Sequence, residues 1–226
     1  MGEIIEFPSN GSRGQGYLAT PGAGEGPGVV VIQEWWGLVD HIKDVCDRLA
    51  AEGFTALAPD LYHGEATTEP DEAGKLMMSL NVAQATKDMG GAVDELVRRT
   101  GGGPVGVIGF CMGGGLALMV GAAKGSAVAA VVPFYGVVGW PSPGPDYANM
   151  RAAVQGHYAT NDDFASPEAV AGLQQTLVDN GVSVEVFTYP GTEHAFFNDT
   201  RPEVYNADAA TRAWDRALEF LRSKLG

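Results

Sequence analysis

Val105-Gly106-Val107-Ile108-Gly109-Phe110-Cys111-Met112-Gly113-Gly114-Gly115 is the stretch that decides how this chain is read. The apolar run Val105 to Phe110 suits a strand covered on both faces, and the Ala- and Leu-rich segment Gly115 to Ala123 suits a following helix. Between them Cys111 stands in Gly-x-Cys-x-Gly, the spacing at which a nucleophile occupies a strained turn from strand to helix. Small residues two positions to either side let the backbone fold that tightly. The turn also aims a helix N-terminus at the thiol, and that positive dipole end favours thiolate over thiol.

Working outward, further apolar runs bounded by Gly, Pro or Asp occur at Gly28 to Gln33, Phe54 to Ala58, Val128 to Phe134, Ala152 to His157 and Ser183 to Tyr189. They alternate with longer helical patterns. That alternation predicts an α/β fold, a mostly parallel central sheet with helices on both faces. The first helix is marked by Ile42, Val45, Cys46, Leu49 and Ala50, with Asp40 expected as its N-cap and Gly53 as its C-cap. Cys46 therefore reads as core. A second helical stretch runs from Glu69 to Arg99, with a break expected near Gly90-Gly91, and is expected to border the pocket. Others are predicted after Cys111, from Pro167 to Asp179 and from Val204 to Leu225. Trp140 to Tyr147, with three prolines, reads as a surface excursion, and one domain over 1–226 is expected.

Composition narrows the partners. The chain is 45% hydrophobic and 19% charged, enough for a substantial core, and its formal net charge is −14. Nucleic acid and anionic membrane surfaces are disfavoured by that charge. No apolar run approaches the ~20 residues of a membrane span. Met1 to Asn10 lacks the basic start and apolar stretch of a secretory signal, and two cysteines give no disulfide framework, so a reducing cytoplasmic location is expected. The expected partner is a small molecule, and the expected state is a monomer or weak homodimer.

Four histidines compete to serve the thiol. His194 is preferred because Gly191-Thr192-Glu193-His194 follows the last candidate strand, where a nucleophile of this kind receives its base. His157 falls inside an apolar strand and reads as a core histidine, while His41 and His63 lie near the pocket mouth. A carboxylate to orient the imidazole is expected after an intermediate strand, and the adjacent Asp162 and Asp163 both satisfy that order. The two oxyanion donors are assigned to the backbone N–H groups of Met112 and Trp35. Glu34, at the carboxyl end of its strand, is expected in the pocket. No His, Asp and Cys cluster has metal-ligand spacing, and no cofactor is implied.

These segments together resemble the dienelactone hydrolase (carboxymethylenebutenolidase) family of α/β-hydrolases. The resemblance spans Val31 to Gly37, Ala58 to Tyr62, Gly106 to Gly114, Phe134 to Gly136, Thr160 to Asp163 and His194 to Pro202. It implies a single α/β-hydrolase domain that cleaves an ester or lactone through Cys111, His194 and an acid. Asp162-Asp163-Phe164 matches the family's D-x-F pattern, so the resemblance favours Asp162. It also implies that Glu34 contacts the resting cysteine and helps activate it. Members specific for dienelactone hold its carboxylate with two arginines; this chain has Asn198 at one place and no arginine between Leu49 and Val97. Lysine does not reproduce the guanidinium fork, so Lys75 is a poor replacement, and Arg201 is the remaining candidate. A less charged ester or lactone is therefore expected, held by Trp35, Trp36, Met77, Met78, Phe134, Tyr135 and Phe196. The same residues would serve a broader carboxylesterase or thioesterase. A rival from another class is a non-catalytic protein using Cys111 as a redox-sensing thiol.

Overall fold

β1 (Glu3–Ser9) and β2 (Ser12–Ala19) form an antiparallel hairpin that the apolar runs do not announce. Glu3 and Glu6 are exposed while Phe7 enters the core, and Gly14 and Gly16 are weak strand formers, so the pair lacks the signature of a buried strand. Gly16 is required by close approach, since a Cβ there would stand 2.5 Å from the carbonyl oxygen of Ala58. The remaining strands are β3 (Gly28–Ile32), β4 (Thr55–Pro59), β5 (Val105–Phe110), β6 (Val128–Phe134), β7 (Ala153–Asn161) and β8 (Val184–Glu193), close to the expected runs. The structure is a computed structural model that describes residues 2–9, 11–137 and 144–226. Trp140 to Pro143, the first half of the Trp140 to Tyr147 excursion, lie outside them.

The sheet runs β1-β2-β4-β3-β5-β6-β7-β8, with β2 antiparallel to β4 and every later pair parallel. Successive side chains of a strand point to opposite faces, so each central strand feeds two cores. Val29, Val31, Ala56, Ala58 and Ile108 pack on one face with α1 (Asp40–Ala51) and α6 (Ala207–Leu225). Val30, Ile32, Leu57 and Val107 pack on the other with α3 (Val82–Arg99) and α4 (Met112–Lys124). α2 (Pro70–Ser79) and α5 (Pro167–Asp179) complete the helices among the described residues. No helix among those residues is long and apolar enough to cross a membrane.

Three helix boundaries differ from expectation. Asp40 is the first residue of α1 rather than its cap; Val39 holds the cap position and makes no side-chain bond there. Asp40 still suits the dipole from within the first turn. The Glu69–Arg99 stretch breaks at Leu80-Asn81, where the Asn81 side chain caps α3 through the N–H of Gln84, and not at Gly90-Gly91. The glycines stay helical because the helix lies against β1: a Cβ at Gly91 would approach the Pro8 carbonyl oxygen to 2.4 Å. α6 begins at Ala207, after Asn206 caps it through the N–H of Ala209, while Val204 and Tyr205 turn back onto the Arg201 carbonyl.

Candidate active site

The carboxyl ends of the parallel strands bring the expected residues together. Cys111 follows the last residue of β5, Tyr135 that of β6, Asp162 that of β7 and His194 that of β8. Glu34 lies two residues beyond β3, which pairs with β5 at Ile32 and Gly109. β7 and β8 are neighbours with Asn161 opposite Glu193, so the next residue on each, Asp162 and His194, are also side by side. Sheet register alone thus converts distant sequence positions into one site.

Cys111 adopts φ 55° and ψ −121° at the cap position of α4, a backbone conformation that side chains other than glycine rarely take. Neighbouring glycines hold it there by backbone contact. A Cβ at Gly109 would stand 2.1 Å from the Gly113 carbonyl oxygen, and one at Gly113 would stand 2.4 Å from that of Gln33. A Cβ at Gly136 would likewise stand 2.3 Å from the Cys111 carbonyl oxygen. Tyr135 and Ala195, at φ 39° and 66°, are strained too, so among the described residues three of the four non-glycine ones with positive φ gather here.

His194 Nδ1 lies 2.8 Å from Asp162 Oδ2. The other carboxylate oxygen accepts the N–H groups of Phe164 at 2.8 Å and Ala165 at 2.9 Å, so the acid is anchored by its own turn. Burial disfavours the His194 imidazolium, but Asp162 and the neighbouring Cys111 outweigh it and push the group up to about 10. Burial likewise opposes the ionised form of Asp162, and His194 with the two N–H groups holds its carboxyl below the usual range. A raised histidine pKa stabilises the fold fully below its unfolded value near 6.5 and loses that contribution as pH rises through about 10. The melting temperature of the wild type should therefore fall toward that of His194→Asn across this window, and a constant gap would refute the coupling.

Glu34 is buried and accepts two hydrogen bonds, from the Tyr135 hydroxyl at 3.3 Å and from Asn198 Nδ2 at 2.7 Å. Burial, then the charges of Glu34 and Cys111, push the Tyr135 phenol well above its ordinary range, so it remains a donor. Asn198 is fixed in turn, its Oδ1 accepting from the Thr200 N–H at 3.1 Å and hydroxyl at 2.6 Å. The N–H groups of Trp35 and Met112 donate to no backbone partner among the described turns and caps.

A cavity of about 330 Å³ opens over these residues, walled by Glu34, Trp35, Trp36, Met77, Cys111, Asp163, Phe164, Glu193, His194, Arg201 and Val204, among others. A second hollow of about 310 Å³ adjoins it beyond Cys111 and His194, bounded by Met112, Tyr135 and Val137. Three expected substrate contacts, Phe134, Phe196 and Met78, lie away from the cavity. Phe134 and Phe196 are fully buried and reach neither wall: Phe134 packs on Phe110, His157 and Phe197, and Phe196 on Tyr135 and Tyr189. Both alternate inward from the site, on the face where α1 and α6 pack. Met78 points to solvent, and Lys75 pairs with Glu72 away from the cavity. Arg201 does reach the wall, but its guanidinium lies 2.9 Å from Glu203 and rests over the Trp36 ring. His157 is buried in β7 and pushed down to about 3, chiefly by burial and then by Arg216, as suits a core histidine. His41 is buried beside Phe110 and Phe197, and His63 pairs with Asp88. Sequence reasoning missed Asn198 as the partner of Glu34; its signal was its place four residues after His194. Phe164, 77% exposed and 5.1 Å from the His194 ring, carried no periodic signal at all.

The family model for the dienelactone hydrolase family matches residues 15–225. The chain belongs to the dienelactone hydrolase family. Among its relatives, Protein usf of Aquifex pyrophilus is 39% identical over the full length of both chains. A protein of Aquifex aeolicus provisionally named a carboxymethylenebutenolidase is 38% identical, again over both full lengths. A crystal structure from Klebsiella pneumoniae, provisionally described as a dienelactone hydrolase, superposes with TM-score 0.88 at 29% identity, covering 98% of each chain. The α/β-hydrolase architecture of this dienelactone hydrolase family member is thus shared across its whole length.

Proposed function

We propose that this dienelactone hydrolase family protein cleaves carboxylic esters or lactones by acyl transfer through Cys111. The observation that carries the reading is that His194, held by the buried Asp162 at 2.8 Å, shares the cavity wall with a strained Cys111. An imidazolium held by Asp162 stabilises a neighbouring thiolate, which attacks the substrate carbonyl carbon. The N–H groups of Trp35 and Met112 receive the developing oxyanion. Collapse of the tetrahedral intermediate breaks the bond to the leaving oxygen, which takes its proton from His194 and leaves a thioester on Cys111. Water then attacks that carbonyl, His194 accepts its proton, and the second collapse releases the acid and restores the pair. Glu34, held by Tyr135 and Asn198 on the same cavity wall, helps to pass the thiol proton to His194 and so to form that pair. The free thiols suit a reducing cytoplasm.

The test is a screen of aryl esters, lactones and dienelactone, before and after alkylation of the thiol. Turnover that survives full alkylation of Cys111 would refute the covalent route. Within the screen, neutral aryl esters or lactones should show specificity constants about tenfold or more above that of dienelactone, the worth of one charge-assisted contact. The reason is that Arg201 already pairs with Glu203 and, among the described residues, no second arginine reaches the wall. A preference for dienelactone that Arg201→Ala removes would make Arg201 its carboxylate anchor.

A further inference from the structure

Three carboxylates, Glu34, Asp163 and Glu193, stand on the wall of the main cavity, and among the described residues none is in an ion pair. Arg201, among the described residues the one arginine or lysine on that wall, is offset by Glu203. The His194 charge is matched by Asp162. In a cavity of about 330 Å³, every wall charge lies within a few ångströms of a bound substrate, and low-dielectric walls focus the field. The uncharged part of the wall holds, besides Met77 and Val204, the aromatic rings of Trp35, the outward-facing Phe164 and Trp36, which already carries the Arg201 guanidinium on its face. Such rings accept a cation as readily as an apolar group.

We infer that the site selects esters bearing a positive charge, such as a quaternary ammonium in the alcohol portion, over uncharged ones of the same shape, and that Asp163 and Glu193 set this preference. The inference rests on the reading of Cys111 as the nucleophile of an ester hydrolase. It differs from a mere tolerance of neutral substrates, because it assigns the cavity a sign. Asp163 and Glu193 are exposed at the mouth, so their field acts on entry as well as on the bound state.

Two measurements test the sign of the site and the hydrolase reading separately. The first compares Cys111 modification by 2-(trimethylammonio)ethyl and 2-sulfonatoethyl methanethiosulfonate, each rate divided by its rate with 2-mercaptoethanol. In both, the thiolate attacks the sulfenyl sulfur, a disulfide forms and methanesulfinate leaves; Cys46, wholly buried, is out of reach. At low salt the cationic reagent should be favoured by about tenfold or more. The ratio should contract toward one at about 1 M salt, where the Debye length is about 3 Å. Asp163→Asn and Glu193→Gln should each narrow the low-salt ratio severalfold. The second compares the specificity constants of acetylthiocholine and its uncharged isostere, 3,3-dimethylbutyl thioacetate, with the cationic ester expected to lead by severalfold or more. A reagent ratio at or below one, or one that neither variant moves, overturns the preference, as does faster turnover of the uncharged ester. A large reagent ratio with neither ester cleaved supports the cation-selective cavity and counts against the hydrolase reading.

Discussion

Cys111→Ala is expected to lower ester hydrolysis by about 10⁴-fold or more while leaving the melting transition intact, because loss of a nucleophile removes the covalent path itself. The strand ahead of the turn and the helix behind it are held by glycine contacts and backbone bonds, among them Cys111 N–H to the Phe134 carbonyl at 3.0 Å, and alanine keeps them all. Cys46→Ala should do the reverse. Its thiol is fully buried on the core face of α1, and burial pushes it well above the ordinary thiol range, so it is inert toward substrate. Its removal leaves a small cavity costing about 1 kcal/mol, with activity retained. Steady-state kinetics with thermal melts of the two variants checks both halves. Esterase activity unchanged in Cys111→Ala would end the acyl-enzyme account.

The second large effect belongs to the two adjacent aspartates. Asp162→Asn should reduce the maximal rate by about 10³-fold or more, because an amide presents either an N–H that repels His194 Nδ1–H or an oxygen withdrawn from its backbone partners. The wrong tautomer then leaves no proton acceptor facing Cys111. Asp163→Asn should change the rate on a neutral ester only a few-fold, since Asp163 lines the cavity without touching His194. Equal losses in the two variants, or the larger loss at Asp163, would move the orienting role by one residue.

Much of this arrangement was legible because the chemistry sits directly after strands that are apolar on both faces. The runs ending near Phe110 and Ile32 are hydrophobic throughout, so their ends, and hence Cys111 and Glu34, could be placed from composition. β7 and β8 were harder: both continue past their apolar stretches to Asn161 and Glu193, and only their pairing shows why Asp162 rather than Asp163 meets His194. The N-terminal hairpin escaped notice because an edge strand need satisfy only one apolar face. Phe134 and Phe196 were misplaced for a related reason. Adjacent residues at a strand end can face opposite sides, and an aromatic beside a catalytic position is as well suited to the core beneath as to the cavity above. Arg201 shows the remaining limit, since its sequence position says nothing of Glu203 folding back to pair with it.

The glycine contacts around the turn bear on how this architecture diversifies. Gly109, Gly113 and Gly136 fix the peptide path by main chain meeting main chain, with no part played by the side chain at position 111. A hydroxyl placed there, as in Cys111→Ser, would project from the same point toward the same imidazole. On the proposed mechanism, sulfur and oxygen nucleophiles are thus alternatives mounted on an identical scaffold, and the passage from one chemistry to the other needs a single-atom exchange rather than a rebuilt fold.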